Sequence, residues 1–266
     1  MSAKIVPFSG KGGSGKTTLA ALVLRQLVRT GVRPILAVDA DPNATLSITL
    51  GVQAGQTIAD LRDRMGQAAA NPGEIPKDRL MDLYLAELLS EQEGFDLLTM
   101  GRPEGPKCYC YVNGLLRRYL SLLARNYACI LVDCEAGMEY LSRLVVEDVR
   151  TLVLVAQATP VGLTTVGRIV ELAKSLPMRV ERRVLAVNHT LPGPMADPAI
   201  ARRLSQAAEI HDVVHVPFDE DVSRRCVQGL PIDEQTGPAA RSAVAELAEC
   251  CLPDARQVQP NKEPIP

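Results

Sequence analysis

Short apolar runs of strand length alternate with helical patterns along almost the entire chain. Seven segments have the continuous apolar character of buried strands: 4–9, 34–39, 95–100, 129–133, 151–156, 183–188 and 213–216. Apolar residues recur at helical spacing in six others: 17–30, 113–125, 139–146, 163–176, 198–208 and 239–251. Continuous apolar strands separated by helices are typical of a parallel sheet buried on both faces. The pattern therefore predicts an α/β fold of three layers, with a mostly parallel sheet between two layers of helices.

The alternation is nowhere interrupted for long enough to separate a second domain. We therefore expect one domain over residues 1–252. Within it, residues 53–94 are polar and are expected to form a mostly helical insertion with a break at Pro72-Gly73. Residues 253–266 are polar and proline-rich, which predicts a disordered C-terminal tail.

Composition indicates a globular protein and argues against nucleic acid and membranes as binding partners. Of the 266 residues, 47% are hydrophobic and 23% are charged, enough to bury a sizeable core. The 29 Lys and Arg residues nearly balance the 31 Asp and Glu residues, so the net charge of −2 gives no general attraction to nucleic acid or anionic lipid. No apolar stretch approaches the ~20 residues of a membrane-spanning helix, and the start of the chain does not have the pattern of a secretory signal. These features predict a cytoplasmic protein that binds neither membrane nor nucleic acid.

A glycine-rich segment between the first predicted strand and the first predicted helix matches the phosphate-binding pattern G-x-x-x-x-G-K-[ST]. Its glycines let successive backbone N–H groups turn towards phosphate oxygens, and the start of the helix adds partial positive charge. Lys16 is expected to reach the β- and γ-phosphates, and the Thr17 hydroxyl to ligate Mg²⁺. The segment predicts a site for a purine nucleoside triphosphate, made by nine residues: Gly10, Lys11, Gly12, Gly13, Ser14, Gly15, Lys16, Thr17 and Thr18.

A second lysine, Lys11, follows the first glycine of this loop. The run K-G-G-x-G-K-T-T resembles the deviant Walker A motif of the dimeric ATPases that include MinD, ParA and the nitrogenase iron protein. In that group the lysine reaches across a dimer interface to the nucleotide of the partner. The resemblance implies a P-loop NTPase fold, bound ATP and an ATP-dependent homodimer in which Lys11 acts in trans.

Carboxylates follow two of the predicted strands, at the edge of the sheet where ligands bind. Asp39-Ala40-Asp41-Pro42 resembles the D-x-D-P switch I segment of the same group. The resemblance implies that Asp41 orients or activates the attacking water and that Asp39 lies near Mg²⁺. Asp133 ends an apolar strand in the Walker B pattern and is expected to hold Mg²⁺. Gly137 is expected to sense the γ-phosphate through its backbone N–H.

Two further segments resemble the adenine-binding parts of the same group. Asn188, at the end of a predicted strand, matches the asparagine that contacts the base. Pro217-Phe218-Asp219 matches the P-[YF]-[DN] segment beside the adenine. The group usually has Lys or Arg after the asparagine, whereas this chain has His189.

The seven cysteines are an odd number in a chain expected to be cytoplasmic, which excludes a disulfide framework. Cys108 and Cys110 form a C-x-C pair, whose soft thiolates suit Ni²⁺, Zn²⁺, Cu(I) or an iron–sulfur cluster. One pair supplies two ligands where four are needed, so a two-fold axis at this loop would complete the site from both subunits. We interpret the other five as packing residues: Cys129, Cys134, Cys226, Cys250 and Cys251.

The segment C-Y-C-x-x-N at 108–113, together with D-x-x-A-G-x-E-x-L-[ST]-R at 133–143, resembles the CooC family. These are the nickel-insertion ATPases that mature carbon monoxide dehydrogenase, and the matching motifs occur in the same order over almost the full chain. The resemblance implies ATP-gated dimerisation and a metal, nickel with zinc as competitor, held between subunits by Cys108 and Cys110. It also implies delivery of this metal to carbon monoxide dehydrogenase.

Two other functions remain open at this point. One is a positioning or partition ATPase of the MinD/ParA kind, for which arginine pairs at 182–183, 202–203 and 224–225 would supply a DNA-binding patch. The other is an ATP-dependent reductase that carries an iron–sulfur cluster between subunits, like the nitrogenase iron protein. The chain has Ala136 where that protein has a second cluster cysteine, which counts against the reductase.

Overall fold

The computed structural model describes residues 4–61, 84–102, 109–136, 148–190, 209–233 and 238–253. In these ranges the strands are β1 Lys4–Gly10, β2 Ile35–Ala40, β3 Leu89–Gln92, β4 Phe95–Thr99, β5 Cys129–Cys134, β6 Asp148–Gln157, β7 Arg179–Thr190 and β8 Asp212–Pro217. The helices are α1 Lys16–Arg29, α2 Thr45–Leu50, α3 Tyr109–Leu123, α4 Pro160–Ser175, α5 Glu220–Gln228 and α6 Pro238–Cys251. No helix in the described ranges is long and apolar enough to cross a membrane.

The strands form one sheet in the order β3-β4-β2-β5-β1-β6-β7-β8. All neighbouring pairs are parallel except β3 and β4, which are antiparallel. Later strands flank β1 on both sides, so the chain order reverses there. In open α/β sheets, such a reversal leaves a crevice at the carboxyl ends of the strands, where ligands bind. The phosphate loop begins at this point.

Side chains alternate between the two faces of the sheet and form separate cores on each. On one face Phe8, Leu131 and Val153 pack with α1 and α6. On the other face one core surrounds α3 and a second surrounds α4. The predicted three-layer α/β fold with a mostly parallel sheet is confirmed.

All seven predicted strands are present, and β6 and β7 extend beyond their predicted limits. Three elements were not predicted. α2 has only six residues, and α5 has no buried residue, so neither gives an apolar periodicity over a useful length. β3 is a short edge strand inside the polar insertion, in which residues 58–61 and 84–88 are helical. The helices predicted at 139–146 and 198–208, and the tail from 254 onwards, lie outside the described residues.

Candidate nucleotide site

The phosphate loop leaves β1 through a position that only glycine can occupy. A Cβ on Gly10 would lie 2.2 Å from the carbonyl oxygen of Val155 on the neighbouring strand β6. Gly15 is restricted in two ways: its φ is +94°, and a Cβ would lie 2.2 Å from Nδ2 of Asn188. Both glycines of the pattern are therefore required by backbone geometry and by close approach.

The loop folds around the carbonyl oxygen of Lys11. The backbone N–H of Ser14 and the ammonium group of Lys16 donate to it at 3.2 and 3.3 Å. Lys16 is only 7% exposed, so a cation is held inside the loop. The start of α1 has no side-chain cap and no acidic residue in its first turn. Its free N–H groups and the buried ammonium suit the phosphates of a nucleotide.

Asn188 holds the phosphate loop in place. It lies two residues before the end of β7, is 4% exposed, and donates from Nδ2 to the carbonyl oxygen of Ser14 at 2.9 Å. The two residues are 174 positions apart in the chain, so the contact is a tertiary one. The structure thus places this residue, expected at the adenine, directly on the loop that would hold the phosphates.

Replacing Asn188 with alanine is expected to lower the free energy of unfolding by about 1–3 kcal/mol, because the buried carbonyl of Ser14 loses its partner. We also expect ATP affinity to fall about tenfold as the loop becomes less ordered. Urea unfolding and calorimetric titration with Mg²⁺–ATP measure the two effects. Asn126→Ala, at an exposed site after α3, is the matched control and should change neither quantity. Equal behaviour of the two variants would contradict this role for Asn188.

Asp39 and Asp133 are in-register neighbours at the ends of β2 and β5, and both are fully buried. Asp39 accepts hydrogen bonds from the backbone N–H groups of Asp41 at 3.2 Å and Leu46 at 2.8 Å. Burial raises the pKa of Asp39 to about 6, and these two N–H groups oppose the rise. Since both its oxygens already accept hydrogen bonds, Asp39 braces the turn after β2 and adds negative charge to the site.

Asp133 differs because both of its carboxylate oxygens are buried without a hydrogen bond of normal geometry. Burial raises its pKa to about 7, and Asp39 adds to the rise, while the nearby Thr17 hydroxyl and the Lys16 ammonium favour the charged form. A buried carboxylate in this state fits a divalent cation, which supplies the missing partner. Asp133 and Thr17 are the residues that would hold Mg²⁺, with Asp39 behind them.

Asp41 and Lys11 lie at the open side of the site. Oδ1 of Asp41 accepts hydrogen bonds from both the backbone N–H and the side-chain Nδ2 of Asn43, each at 2.9 Å. This fixes a partly exposed carboxylate beyond the buried pair. The side chain of Lys11 is exposed, and in the described ranges it has no hydrogen-bond or ion-pair partner. Both side chains can therefore be reached from outside the site.

An aromatic pair lies where the base was expected. β7 has an irregularity at His189, whose φ is +56°, and its ring meets the ring of Phe218 edge-to-face with centroids 6.0 Å apart. Phe218, next to Pro217, is 41% exposed and offers an apolar surface to a base. Asp219 has a structural role as the N-cap of α5, since Oδ1 accepts from the N–H groups of Asp221 and Val222. The sequence marks His189 only as a departure from the Lys or Arg usual at this position, and its contact with Phe218 is seen only in the structure.

Several predicted positions fall outside what the structure describes. Gly137 and Cys108 lie outside the described residues, and Cys110 is described only through the backbone of α3. Among the described residues, no group of three or more His, Cys, Asp or Glu side chains is arranged to hold a metal ion. The C-x-C metal site therefore stays a proposal.

The remaining five cysteines differ in how far they are buried. Cys129, Cys134 and Cys251 are buried, and burial raises the pKa of Cys129 to about 12, so these thiols pack as neutral groups. Cys250 is partly buried. For Cys226 the predicted packing role is wrong, because it is exposed on α5 with its sulfur 3.8 Å from the Thr18 hydroxyl.

The arginine pairs that suggested a DNA-binding patch are largely neutralised. Arg182 and Arg183 form ion pairs with Asp212 and Glu209. Arg224 and Arg225 form ion pairs with Asp221 and Asp233. The third pair, at 202–203, lies outside the described residues. A cation that is already paired with a carboxylate has little to offer a phosphate backbone, so these four arginines do not form a basic patch.

Comparisons with known proteins agree with this geometry. The family model for the CobQ/CobB/MinD/ParA nucleotide binding domain matches residues 5–232. An uncharacterized ATP-binding protein of Methanocaldococcus jannaschii is 33% identical over 232 residues, which cover 86% of this chain and 90% of that protein. The carbon monoxide dehydrogenase accessory protein CooC of Rhodospirillum rubrum is 28% identical over 260 residues, covering 93% and 95%. The septum site-determining protein MinD of Pyrococcus horikoshii, solved with Mg-ADP, has the same fold: the TM-score is 0.66 at 22% identity, covering 93% and 95% of the two chains.

Proposed function

From the premise that this chain belongs to the CobQ/CobB/MinD/ParA family of nucleotide-binding domains, we propose that it is an ATP-dependent dimeric metallochaperone. Its cargo is Ni²⁺, with Zn²⁺ as competitor, bound by Cys108 and Cys110 from both subunits. Its client is carbon monoxide dehydrogenase. The similarity to CooC over 93% of the chain supports this assignment of cargo and client.

One structural observation carries the coupling between nucleotide and metal. The N–H of Met100, just after β4, donates to the carbonyl oxygen of Asp39 at 2.8 Å. The chain therefore leaves the sheet beside the buried carboxylates, and α3, whose first residue is Tyr109, begins nine positions after Met100. A change at Asp39 on nucleotide binding is transmitted through this backbone bond to the segment that carries the C-x-C pair.

Residues from both subunits of the dimer contribute to ATP hydrolysis. The N–H groups of the loop and the Lys16 ammonium bind and orient the phosphates, and Mg²⁺ supplies neutralising charge when bound. Asp41 orients the attacking water. Lys11 contacts the partner's nucleotide in trans, so hydrolysis requires the dimer, and the same dimer brings four thiolates together.

Equilibrium dialysis with ⁶³Ni²⁺ tests the cargo site. We expect about one Ni²⁺ per dimer for the unmodified protein and none for Cys108→Ser/Cys110→Ser, because removing the soft ligands leaves no comparable site. Cys226→Ser/Cys250→Ser removes the same number of thiols, one exposed and one partly buried, and should bind like the unmodified protein. Stoichiometric binding by the Cys108/Cys110 variant would overturn the ligand assignment.

Anaerobic purification separates this function from the iron–sulfur reductase. A metallochaperone for nickel is colourless when isolated without added metal. A brown protein with broad absorption near 400 nm, as expected for a cluster with thiolate ligands, would favour the reductase instead.

A further inference from the structure

A cavity between α1 and α6 is lined by three arginines, one carboxylate and apolar side chains, and we call it the arginine cavity. Its main lining residues are Arg25, Arg29, Arg241, Asp233, Leu22 and Val244. The cavity has a volume of about 30 Å³ and opens to solvent, so it has room for two water molecules or for one small polar group. At 1.5 Å rise per residue, Arg25 lies about 14 Å along α1 from Lys16. The cavity is therefore separate from the nucleotide site, although one helix lines both.

Two of these arginines have neutral hydrogen-bond partners. Nη2 of Arg25 donates to the carbonyl oxygen of Leu50 at 2.7 Å. Nε and Nη2 of Arg29 donate to Oε1 of Gln26 at 3.1 and 2.6 Å. Neither arginine forms an ion pair with a carboxylate in the described part of the chain. Because they are one turn apart on α1, their charges also repel each other. Both positive charges are therefore uncompensated at the cavity.

The carboxylate of the cavity does not offset this charge. Asp233 is ion-paired at 2.9 Å with Arg225, which is not among the lining residues. Within the described lining, three guanidinium groups exceed the one carboxylate by two charges. An anion with two negative charges would offset this excess, whereas a monoanion would offset only half of it.

Arg25 is held in place without any ligand. Its guanidinium lies over the ring of Phe95 at 5.7 Å from the centroid, in addition to its hydrogen bond with Leu50. Its Nε is buried without a hydrogen bond, and a donor in that state gains from an acceptor nearby. A guanidinium fixed in this way loses little freedom when an anion binds, which favours binding.

We propose that the arginine cavity binds a small doubly charged oxyanion, namely a phosphate group, and that this anion slows ATP hydrolysis through Arg25. Arginine clusters suit phosphate because each guanidinium can donate two parallel hydrogen bonds to its oxygens. The size of the cavity admits the phosphate group alone, so any remainder of the ligand stays in solvent. The inference rests on the ATP hydrolysis of the proposed function, but not on its cargo or its client.

The route to the nucleotide site runs through α2. Leu50, the acceptor for Arg25, is the last residue of α2. At the other end of this short helix, the N–H of Leu46 donates to Oδ2 of Asp39 at 2.8 Å. An anion that draws the guanidinium of Arg25 away from Leu50 would loosen α2 and, with it, the turn that holds Asp39. We therefore expect the anion to lower kcat and to leave nucleotide affinity nearly unchanged.

Calorimetric titration with inorganic phosphate at pH 8 and constant ionic strength tests the cavity. The nucleotide site is first saturated with Mg²⁺ and the non-hydrolysable analogue AMPPNP, so that phosphate cannot bind there. We expect about one phosphate per subunit, and a Kd raised about tenfold or more in Arg29→Gln and Arg241→Gln. Arg29→Lys keeps the charge but not the paired donors and should lose less affinity. Arg168→Gln, at an exposed arginine of α4 on the opposite face of the sheet, is the control and should bind like the unmodified protein.

Turnover at saturating ATP tests the effect on hydrolysis. Phosphate is expected to lower kcat of the unmodified protein and of Arg168→Gln by at least about twofold, and to have little effect on kcat of Arg29→Gln. Phosphate that competes in the nucleotide site would instead raise KM, because excess ATP displaces it. Sulfate, which has the same shape and charge, should act like phosphate, and acetate should not. Unchanged binding of Mg²⁺–AMPPNP shows that each variant is folded.

Each contrary result overturns a different step. Equal phosphate binding by the unmodified protein, Arg29→Gln and Arg241→Gln would show that the cavity is not the site. Binding that depends on Arg29 without any change in kcat would refute the route through Arg25. If phosphate does not bind, but vesicles with about 30% phosphatidic acid bind the unmodified protein and not Arg29→Gln, the ligand is a lipid headgroup and the free anion is excluded. If the unmodified protein does not hydrolyse ATP at all, the proposed function fails, and the calorimetric titration still decides whether the cavity binds phosphate.

Discussion

Replacing Lys16 with alanine is expected to weaken Mg²⁺–ATP binding by about 100-fold, corresponding to about 3 kcal/mol. Its ammonium is buried inside the loop, where it would meet phosphate oxygens away from bulk water. A charge pair in that setting gains far more than one at the surface. Without nucleotide, its one hydrogen bond of normal geometry in the described structure is to the carbonyl oxygen of Lys11. Truncation should therefore leave the melting temperature of the free protein unchanged or slightly higher.

Lys11→Ala, in the same loop, should behave differently. Because its side chain is exposed and lies outside the loop, ATP affinity is expected to remain within about threefold. Hydrolysis and nucleotide-dependent dimerisation should be lost, since the proposed role of Lys11 is in the partner's site. Calorimetric titration, turnover and analytical ultracentrifugation with ATP separate the two lysines. Wild-type turnover for Lys11→Ala would contradict its action in trans.

Whether an element can be predicted from the sequence depends on how much of it is buried. The central parallel strands are buried on both faces, so they appear as continuous apolar runs, and all of them were located, as was the partly exposed edge strand β8. α5 is the opposite case: none of its residues is buried, and it is held by the Asp219 cap and by contacts such as that of Arg225 with the 231–233 segment. No apolar pattern can indicate a helix that has no buried face.

The candidate site shows the same division. The phosphate loop and the carboxylates at strand ends were predictable, because their chemistry requires those residue types in that order. The contact between Asn188 and Ser14 was not, since it joins residues that only the strand order brings together. Nor could the sequence distinguish Asp39 from Asp133. Only the structure shows that backbone N–H groups occupy both oxygens of one and leave both oxygens of the other without such bonds.

Replacing Asp133 with asparagine is expected to stabilise the free protein at alkaline pH. The pKa of Asp133 is raised to about 7 in the folded protein from 3.8, so between these values the folded state holds a proton that the unfolded chain has released. The free energy of unfolding therefore falls as pH rises through this range, by about 4 kcal/mol in total. The neutral amide removes that loss, so the variant should be more stable than the unmodified protein at pH 8 and close to it at pH 4.

Urea unfolding in EDTA without nucleotide, at pH 4 and pH 8, measures this difference. Asp148→Asn, which neutralises a highly exposed carboxylate, is the control and should keep the pH dependence of the unmodified protein. The free energy of unfolding of Asp133→Asn should still depend on pH to some extent, because the pKa of Asp39 is also raised, to about 6. Equal stability loss between pH 4 and pH 8 in Asp133→Asn and the unmodified protein would show that Asp133 is not the buried group that titrates.

The same substitution should act in the opposite direction on activity. An amide oxygen is a weaker ligand for Mg²⁺ than a carboxylate, and it cannot offset the positive charge of the ion in a buried site. We expect ATP turnover by Asp133→Asn to fall at least about 100-fold, a loss of about 3 kcal/mol in transition-state stabilisation. Mg²⁺ should also stop raising the melting temperature in the presence of ATP, although it raises that of the unmodified protein. Suppose that Asp133→Asn is more stable than the unmodified protein without ligand, but inactive and insensitive to Mg²⁺. Asp133 is then a carboxylate that destabilises the free protein and is needed to bind Mg²⁺. If turnover and the response to Mg²⁺ are retained, Mg²⁺ is bound by other groups.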